Sequence, residues 1–194
     1  MAMEPTGANQ AGLYARFGKP ILDRVLGLIL AILTLPVVAV LLVMSWIAFG
    51  WPPLARVSRT GRGRRRFNLY RVNTRKDYQT DLRGRHLRLS SLLRSTSLDE
   101  LPQLWNVVLG HMSLVGPRPI DPVTALQFEK DAARRHSARP GVTGPWQLEA
   151  RGDGRSLTDH IALDLAYVEN ISFLTDLGLL LRTVPALFRH REEV

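Results

Sequence analysis

The chain contains no cysteine among its 194 residues, which excludes disulfides and thiolate metal sites and leaves the compartment open. Its five histidines fall in no H-E-x-x-H or similar spacing, so a zinc site built by protein ligands is not expected. Acidic residues are scarce as well: 17 Asp and Glu stand against 26 Lys and Arg, a formal net charge of +9. A chain this basic expects an anionic partner, whether nucleic acid, acidic lipid or a phosphorylated substrate. Without thiolates or clustered imidazoles, any metal has to be held by carboxylates and substrate phosphates, which favours Mg²⁺.

Charge is missing altogether from one long stretch. Between Arg24 and Arg56 no Lys, Arg, Asp or Glu occurs. About 20 apolar residues suffice to cross a bilayer, so this segment belongs in a membrane rather than in a soluble core. It is too long for a signal peptide, and no A-x-A-like cleavage site follows it. Pro36 interrupts the run near its middle, where it removes one backbone hydrogen bond and predicts a kink. Basic residues flank both ends: Arg16, Lys19 and Arg24 before, then Arg56, Arg59, Arg62, Arg64, Arg65 and Arg66 after. A spanning helix usually carries its basic excess on one side only. The pattern therefore predicts a re-entrant helix over residues 19–52 that bends at Pro36 and returns to the face it entered, with a proline-kinked spanning helix as the alternative. Residues 1–18 are expected to be disordered, and residues 53–194 to form a small α-rich α+β domain of helices, surface helices and a few short strands.

After the apolar stretch, "RTGRGRRR" reads as a turn and "RFNLYRV" as a short strand with Phe67 and Leu69 on one face. The arginines lack the interleaved aromatics of a nucleic-acid motif. Placed directly after a membrane segment, they suit anionic lipid headgroups, and a solvated turn is the plainer reading. Near the C-terminus, Phe173, Leu177, Leu180, Val184 and Leu187 recur at helical spacing around Pro185. They fit either an amphipathic helix on a bilayer surface or a core-packing helix.

One acidic pair stands out. Ser97 and Glu100 form an S-x-x-E capping box, predicting a helix from about Leu98 to Gly110 with Leu98, Leu101, Trp105 and Val108 on its buried stripe. Asp99 would then lie about 160° away from Leu101. Local geometry thus favours a solvated first turn in which Glu100 caps and Asp99 meets the helix dipole. Further on, Ser156 and Asp159 look like the cap of a helix with Leu157, Ile161, Leu165 and Val168 on its apolar stripe. Asp164 falls at the edge of that face, where a carboxylate needs a partner, either a structural arginine or a substrate.

The surrounding motif bears on the acidic pair differently. The stretch "LLRSTSLDELPQLWNVVLGHMSLVGPRP" resembles the bacterial sugar transferase family, the monotopic polyprenyl-phosphate phosphoglycosyl transferases, in their minimal form. "RPGVTGPWQ" (139–147) and "LDLAYVEN" (163–170) follow in the family's order, so that the likeness extends over roughly residues 19–189. The resemblance implies transfer of a phosphosugar from a UDP-sugar to a polyprenyl phosphate, with release of UMP. It implies Asp99 as nucleophile, Asp99 and Glu100 at a Mg²⁺ ion, and Arg94 and Arg118 near phosphates. Arg71 stands where the family has lysine, and Pro119, Gln147 and Asp164 are supporting positions. It further implies a monotopic protein of the bacterial inner membrane with its catalytic domain on the cytoplasmic face, with UDP-sugar, polyprenyl phosphate and anionic lipids as partners, no nucleic acid, and an oligomer possible. Three departures are visible: Arg71 and Asn73 in "YRVN", His111 before "MSL", and the divergent segment around Arg151. The competing reading is a non-catalytic, membrane-anchored basic module that recruits an anionic partner.

Overall fold

A computed structural model describes residues 12–74, 85–127, 134–149 and 157–188. Ser156 and Arg151, named above, lie outside the described residues, as do residues 1–11. The elements in chain order are α1 (Lys19–Phe49), β1 (Leu54–Thr60), β2 (Arg66–Val72), α2 (Arg85–Ser95), α3 (Gln103–Val108), β3 (Ser113–Val115), α4 (Pro122–Gln127), β4 (Gly141–Thr143), α5 (Pro145–Glu149), α6 (Leu157–Glu169) and α7 (Phe173–Phe188). The expected helix-rich fold with a few strands is present.

Helix α1 is the long apolar element. It is continuous from Lys19 to Phe49 with Pro36 inside it, and the two arms of a hairpin are not distinguished. Residues Tyr14–Gly18 already form a π-helical turn leading into it, so the helical segment starts upstream of the expected boundary at Lys19 and the disorder foreseen before it does not extend over those residues. Only 22 % of its most apolar stretch is buried, so the rest of the domain leaves most of that surface uncovered. Its inner face carries Lys19, Asp23, Gly27, Ala31, Val38, Leu41 and Ser45.

That face touches one body along its whole length. Lys19 Nζ pairs with Asp176 of α7 at 2.5 Å, and Asp23 accepts from Ser113 Oγ at 2.5 Å and from the Leu114 backbone N–H at 3.1 Å. A Cβ on Gly27 would come within 2.8 Å of Val107 Cγ1, so the glycine permits the close approach of α3. Farther along, Leu41 joins Val72 and Leu93 in a small core. Ser45 Oγ donates to the carbonyls of Asn73, at 2.6 Å, and Pro53.

Strands β1 and β2 form an antiparallel hairpin running from the Leu54–Val72 pair to the Thr60–Arg66 pair, and β3 and β4 form a separate parallel pair. The expected strand is confirmed, with Leu69 in the main core and Phe67 packed against it. Side chains alternate across a strand, so Arg71 shares the face of Phe67 and Leu69. The main core gathers Ala31, Leu69, Leu104, Val107, Met112, Leu114, Val115, Tyr167 and Leu179.

Two helical stripes differ from expectation. On α3 the buried residues are Gln103, Leu104, Asn106 and Val107, while Trp105 is exposed. The acidic pair does not open that helix: Leu98–Glu100 form a separate 3₁₀ turn, and Pro102 takes the N-cap position of α3. Proline lacks the N–H that an interior helical position would need, so the α-helix restarts there and its register is reset. On α6 the buried residues include Ile161, Asp164 and Tyr167, so Asp164 lies within the buried face rather than at its edge. Helix α7 buries Asp176 and Leu179 and leaves Phe173, Leu177 and Val184 outward.

Candidate active site

The expected capping box does not form. Ser97 lies in the left-handed region at φ 57°, and its side chain makes no cap hydrogen bond. Such a backbone conformation costs a non-glycine residue about 1 kcal/mol or more and is held only by its surroundings. The tight 3₁₀ turn that follows swings Asp99 inward, and its residue exposure falls to 1 %. Buried carboxylates need a partner, and Arg71 supplies one: its terminal nitrogen binds Asp99 Oδ2 directly. The Nε of Arg71 is buried and has no hydrogen-bond partner. One fixed guanidinium donor beside Asp99 is therefore uncommitted, and a phosphate oxygen is the kind of acceptor that matches it.

Glu100, the next residue, lines a groove of about 230 Å³ with Ser97, Leu104, Thr143, Gln147 and residues of α1 that include Leu30 and Thr34. Gln147 donates from Nε2 to the Val142 carbonyl at 2.8 Å, and its buried Oε1 accepts no hydrogen bond. The groove thus joins Glu100 to the apolar helix, with Gln147 in its wall.

The Gly-Pro-Arg-Pro turn is built from underneath. Asp164 and Arg135 form a buried ion pair at 2.6 Å. Asp164 Oδ2 also accepts from the Arg118 backbone N–H at 3.2 Å, and Arg135 donates to the Arg118 carbonyl. Burial pushes the Asp164 carboxyl above the usual carboxylate range, with Arg135 opposing the shift. The pair therefore clamps both backbone groups of Arg118. The Arg118 guanidinium then stacks on Trp146, 3.3 Å from the ring centroid, while Pro119 beside it is half-buried.

Arg94 sits in the last turn of α2 and donates from Nε to Thr74 Oγ1 at 3.1 Å and from its terminal nitrogen to the Thr74 carbonyl. It ties α2 to the chain just beyond β2. The expected residues therefore fall into four groups: Asp99 with Arg71; Glu100 with Gln147 on one groove; Arg118, Pro119 and Asp164 around one turn; and Arg94 held on Thr74. Sequence reasoning missed Arg135, Trp146 and Thr74. Nothing in "AARRHSARP" separates Arg135 from its basic neighbours, whereas Trp146 stands in a motif already noted and had a signal.

As for a metal, no group of three or more His, Asp or Glu able to hold an ion occurs among the described residues. Asp99 and Glu100 are the adjacent carboxylates of the site, and Asp99 is bound by Arg71. Such a donor set fits Mg²⁺, which is commonly held by one or two carboxylates together with substrate phosphates.

Comparison with known proteins bears on this arrangement as a whole. The chain is 33 % identical over 204 residues to a UDP-galactose-lipid carrier transferase of Erwinia amylovora, a match covering 93 % of this chain and 42 % of that protein. It is 35 % identical over 196 residues to a UDP-glucose:undecaprenyl-phosphate glucose-1-phosphate transferase of Caulobacter vibrioides, covering 91 % and 73 % of the two. An undecaprenyl-phosphate galactose phosphotransferase of Salmonella typhimurium matches at 38 % over 119 residues, 61 % of this chain and 25 % of that one. The chain thus spans less than half the length of several curated relatives. The pattern of the bacterial sugar transferases matches residues 14–190, and the chain belongs to that family.

Proposed function

We propose that the chain transfers a sugar 1-phosphate from a UDP-sugar to undecaprenyl phosphate, releasing UMP and giving a polyprenyl diphosphate sugar. The observation that carries this reading is the buried Asp99–Arg71 pair, in which the Arg71 Nε is buried and has no hydrogen-bond partner. The names of the relatives supply the substrate classes.

Asp99 Oδ attacks the β-phosphorus of the UDP-sugar. The bond from that phosphorus to the bridging oxygen breaks, and UMP leaves with the electron pair. The phosphosugar is held on Asp99 as an acyl phosphate until a phosphate oxygen of the lipid attacks the same phosphorus and returns the carboxylate. Dividing the transfer in this way avoids gathering two anionic substrates at once. Arg71 orients Asp99 and donates to the phosphoryl oxygens, and Arg118, stacked on Trp146, presents a second cation from a clamped turn. Mg²⁺ held by Asp99 and Glu100 would supply charge compensation at the phosphates. The groove between Glu100 and α1 has the apolar walls a prenyl chain requires.

The membrane placement belongs to this reading. Contacts from Lys19 to Ser45 with one domain support both ends of α1 lying on one side, the cytoplasmic face of the inner membrane, as a re-entrant rather than a spanning segment. The outward stripe of α7 supports a helix resting on the bilayer surface.

The test is a UMP-release assay with detergent-solubilised protein, undecaprenyl phosphate and a panel of UDP-sugars. Incubation with the productive UDP-sugar alone should add one phosphosugar mass to the protein. Chelation by EDTA should stop turnover and Mg²⁺ should restore it; full turnover after exhaustive chelation would remove the metal from the mechanism.

A further inference from the structure

At the tip of the β1–β2 hairpin the chain turns through a short 3₁₀ segment, Arg62–Arg64. Two bonds fasten this tip to the rest of the domain, from the Thr60 N–H to the Ile120 carbonyl at 2.9 Å and from the Gly63 N–H to the His136 carbonyl at 2.8 Å, and the Gly61 N–H closes the turn on the Arg65 carbonyl at 2.8 Å. Between the tip and the end of α3 lies a cleft of about 560 Å³ whose lining includes Arg62, Arg65, Arg66, Phe67, His111 and Arg139, with no carboxylate among the described residues of its wall. Arg24 of α1 reaches the same place, because a Cβ on Gly110 would fall 2.8 Å from its terminal nitrogen. Arg62, Arg65 and Arg66 are exposed and Arg139 is half-buried.

Asp23 lines the adjoining cleft with Arg62 and Arg139. It is already engaged by Ser113, Leu114 and Lys19. Burial and the like charges of Arg24 and Arg62 make the charged form of Arg139 less favourable. A bound anion would relieve that repulsion. Arginines gathered around one cleft, with Asp23 the acidic group that acts on Arg139, form a concentration of guanidinium donors suited to a phosphate.

This cleft is distinct from the acidic pair. Arg66 and Arg71 are five positions apart on β2, roughly 17 Å at strand spacing, and Arg71 is the residue that meets Asp99. Its location also limits what can reach it. Arg24 is the last charge before the outward apolar residues Val25, Leu28 and Ile29, and Trp105 and Leu109 of the α3 end are exposed next to Gly110. The cleft therefore lies where apolar surface gives way to cationic surface, the level at which lipid headgroups sit and tryptophan is favoured. Among the described residues its rings are Phe67, half-buried, and His111, exposed and tilted 33° to it at 6.0 Å between centroids, a single pair rather than the run of aromatics on which single-stranded nucleic acid stacks.

We infer that this arginine cleft is a second, non-catalytic anion site that holds the phosphate of an anionic phospholipid headgroup and so fixes how the domain sits on the bilayer. The site does not depend on the catalytic assignment of Asp99.

The experiment uses the full chain in a neutral detergent and measures the thermal unfolding midpoint with added short-chain phosphatidylglycerol, short-chain phosphatidylcholine, inorganic phosphate, or an oligonucleotide. A ligand that binds the folded state raises the midpoint. Phosphatidylglycerol should raise it and phosphatidylcholine should not, and the rise should shrink with added NaCl. The combined variant Arg62→Gln, Arg65→Gln, Arg139→Gln should lose the rise, and the corresponding triple Lys variant should keep most of it. UDP-sugar-dependent phosphosugar labelling of the Gln variant should persist, since none of the three touches Asp99. A salt-independent rise in the wild type, or an undiminished rise in the Gln variant, would overturn the site. An equal rise with inorganic phosphate would overturn the lipid as its source, and a larger one with the oligonucleotide would point to nucleic acid instead.

Discussion

At the scale of single residues, burial is what separates Asp99 from Glu100. Both were legible in the sequence as a pair, but helical geometry placed Asp99 toward solvent, whereas it is 1 % exposed and bound by Arg71. Asp99→Asn keeps shape and an acceptor for Arg71 and loses the charge, so the expected cost to folding is about 2 kcal/mol, the scale of a hydrogen bond to a charged group. Loss of a nucleophile should instead lower turnover by several orders of magnitude. UMP release together with an unfolding midpoint distinguishes the two, and near-normal turnover of a folded Asp99→Asn protein would return the pair to a structural role. Arg71→Lys keeps the charge but gives up the fork and the unused Nε donor. It should reduce turnover far more than it lowers stability. The Asp164–Arg135 pair is a different case. Asp164→Ala leaves a buried guanidinium without its carboxylate and should destabilise by about 3–5 kcal/mol, read as a lower unfolding midpoint, because the pair carries the turn that presents Arg118.

At the scale of elements, the hairpin and α1 show what periodicity can and cannot reach. Alternation in "RFNLYRV" located β2 and its inward residues, and the same period-2 rule puts Arg71 on the inner face. The S-x-x-E pattern predicts a helix from Leu98, whereas Leu98–Glu100 form a 3₁₀ turn and α3 begins at Gln103. Pro102, two residues after Glu100, resets the register, and the buried stripe moves from Trp105 and Val108 to Leu104 and Val107. The packing of α1 on α3 depends on Gly27, whose missing side chain admits Val107. Gly27→Leu should force the helices apart and destabilise by roughly 1–3 kcal/mol, the usual cost of overpacking, measured as a lower midpoint in the same detergent.

At the scale of the whole molecule, one apolar helix lies against a basic domain through polar anchors at both ends. Lys19 with Asp176 secures one end and Ser45 with Asn73 the other. If both ends lie on the cytoplasmic side, Ala8→Cys and Ser58→Cys, made separately in this cysteine-free background, should both resist a membrane-impermeant thiol reagent in intact cells. Labelling of the Ala8→Cys protein alone would establish a spanning helix.

The sequence by itself determined the composition-level facts and the local ones: an apolar segment that belongs in a membrane, a basic collar after it, a strand at Phe67–Leu69, an amphipathic C-terminal helix and a motif that marks the family. Each rests on residues close together in the chain, where spacing and propensity act directly. Only the tertiary structure decided which groups meet. The contacts of Arg71 with Asp99, Arg135 with Asp164, Lys19 with Asp176 and Gly63 with His136 join residues 28 to 157 positions apart. Such pairings are set by how the core of Leu69, Val107 and Leu114 packs α1, α3 and the two strand pairs together. Among so many arginines, no local pattern says which will be buried against a carboxylate; packing makes that choice, because a buried charge persists only where a partner is brought to it.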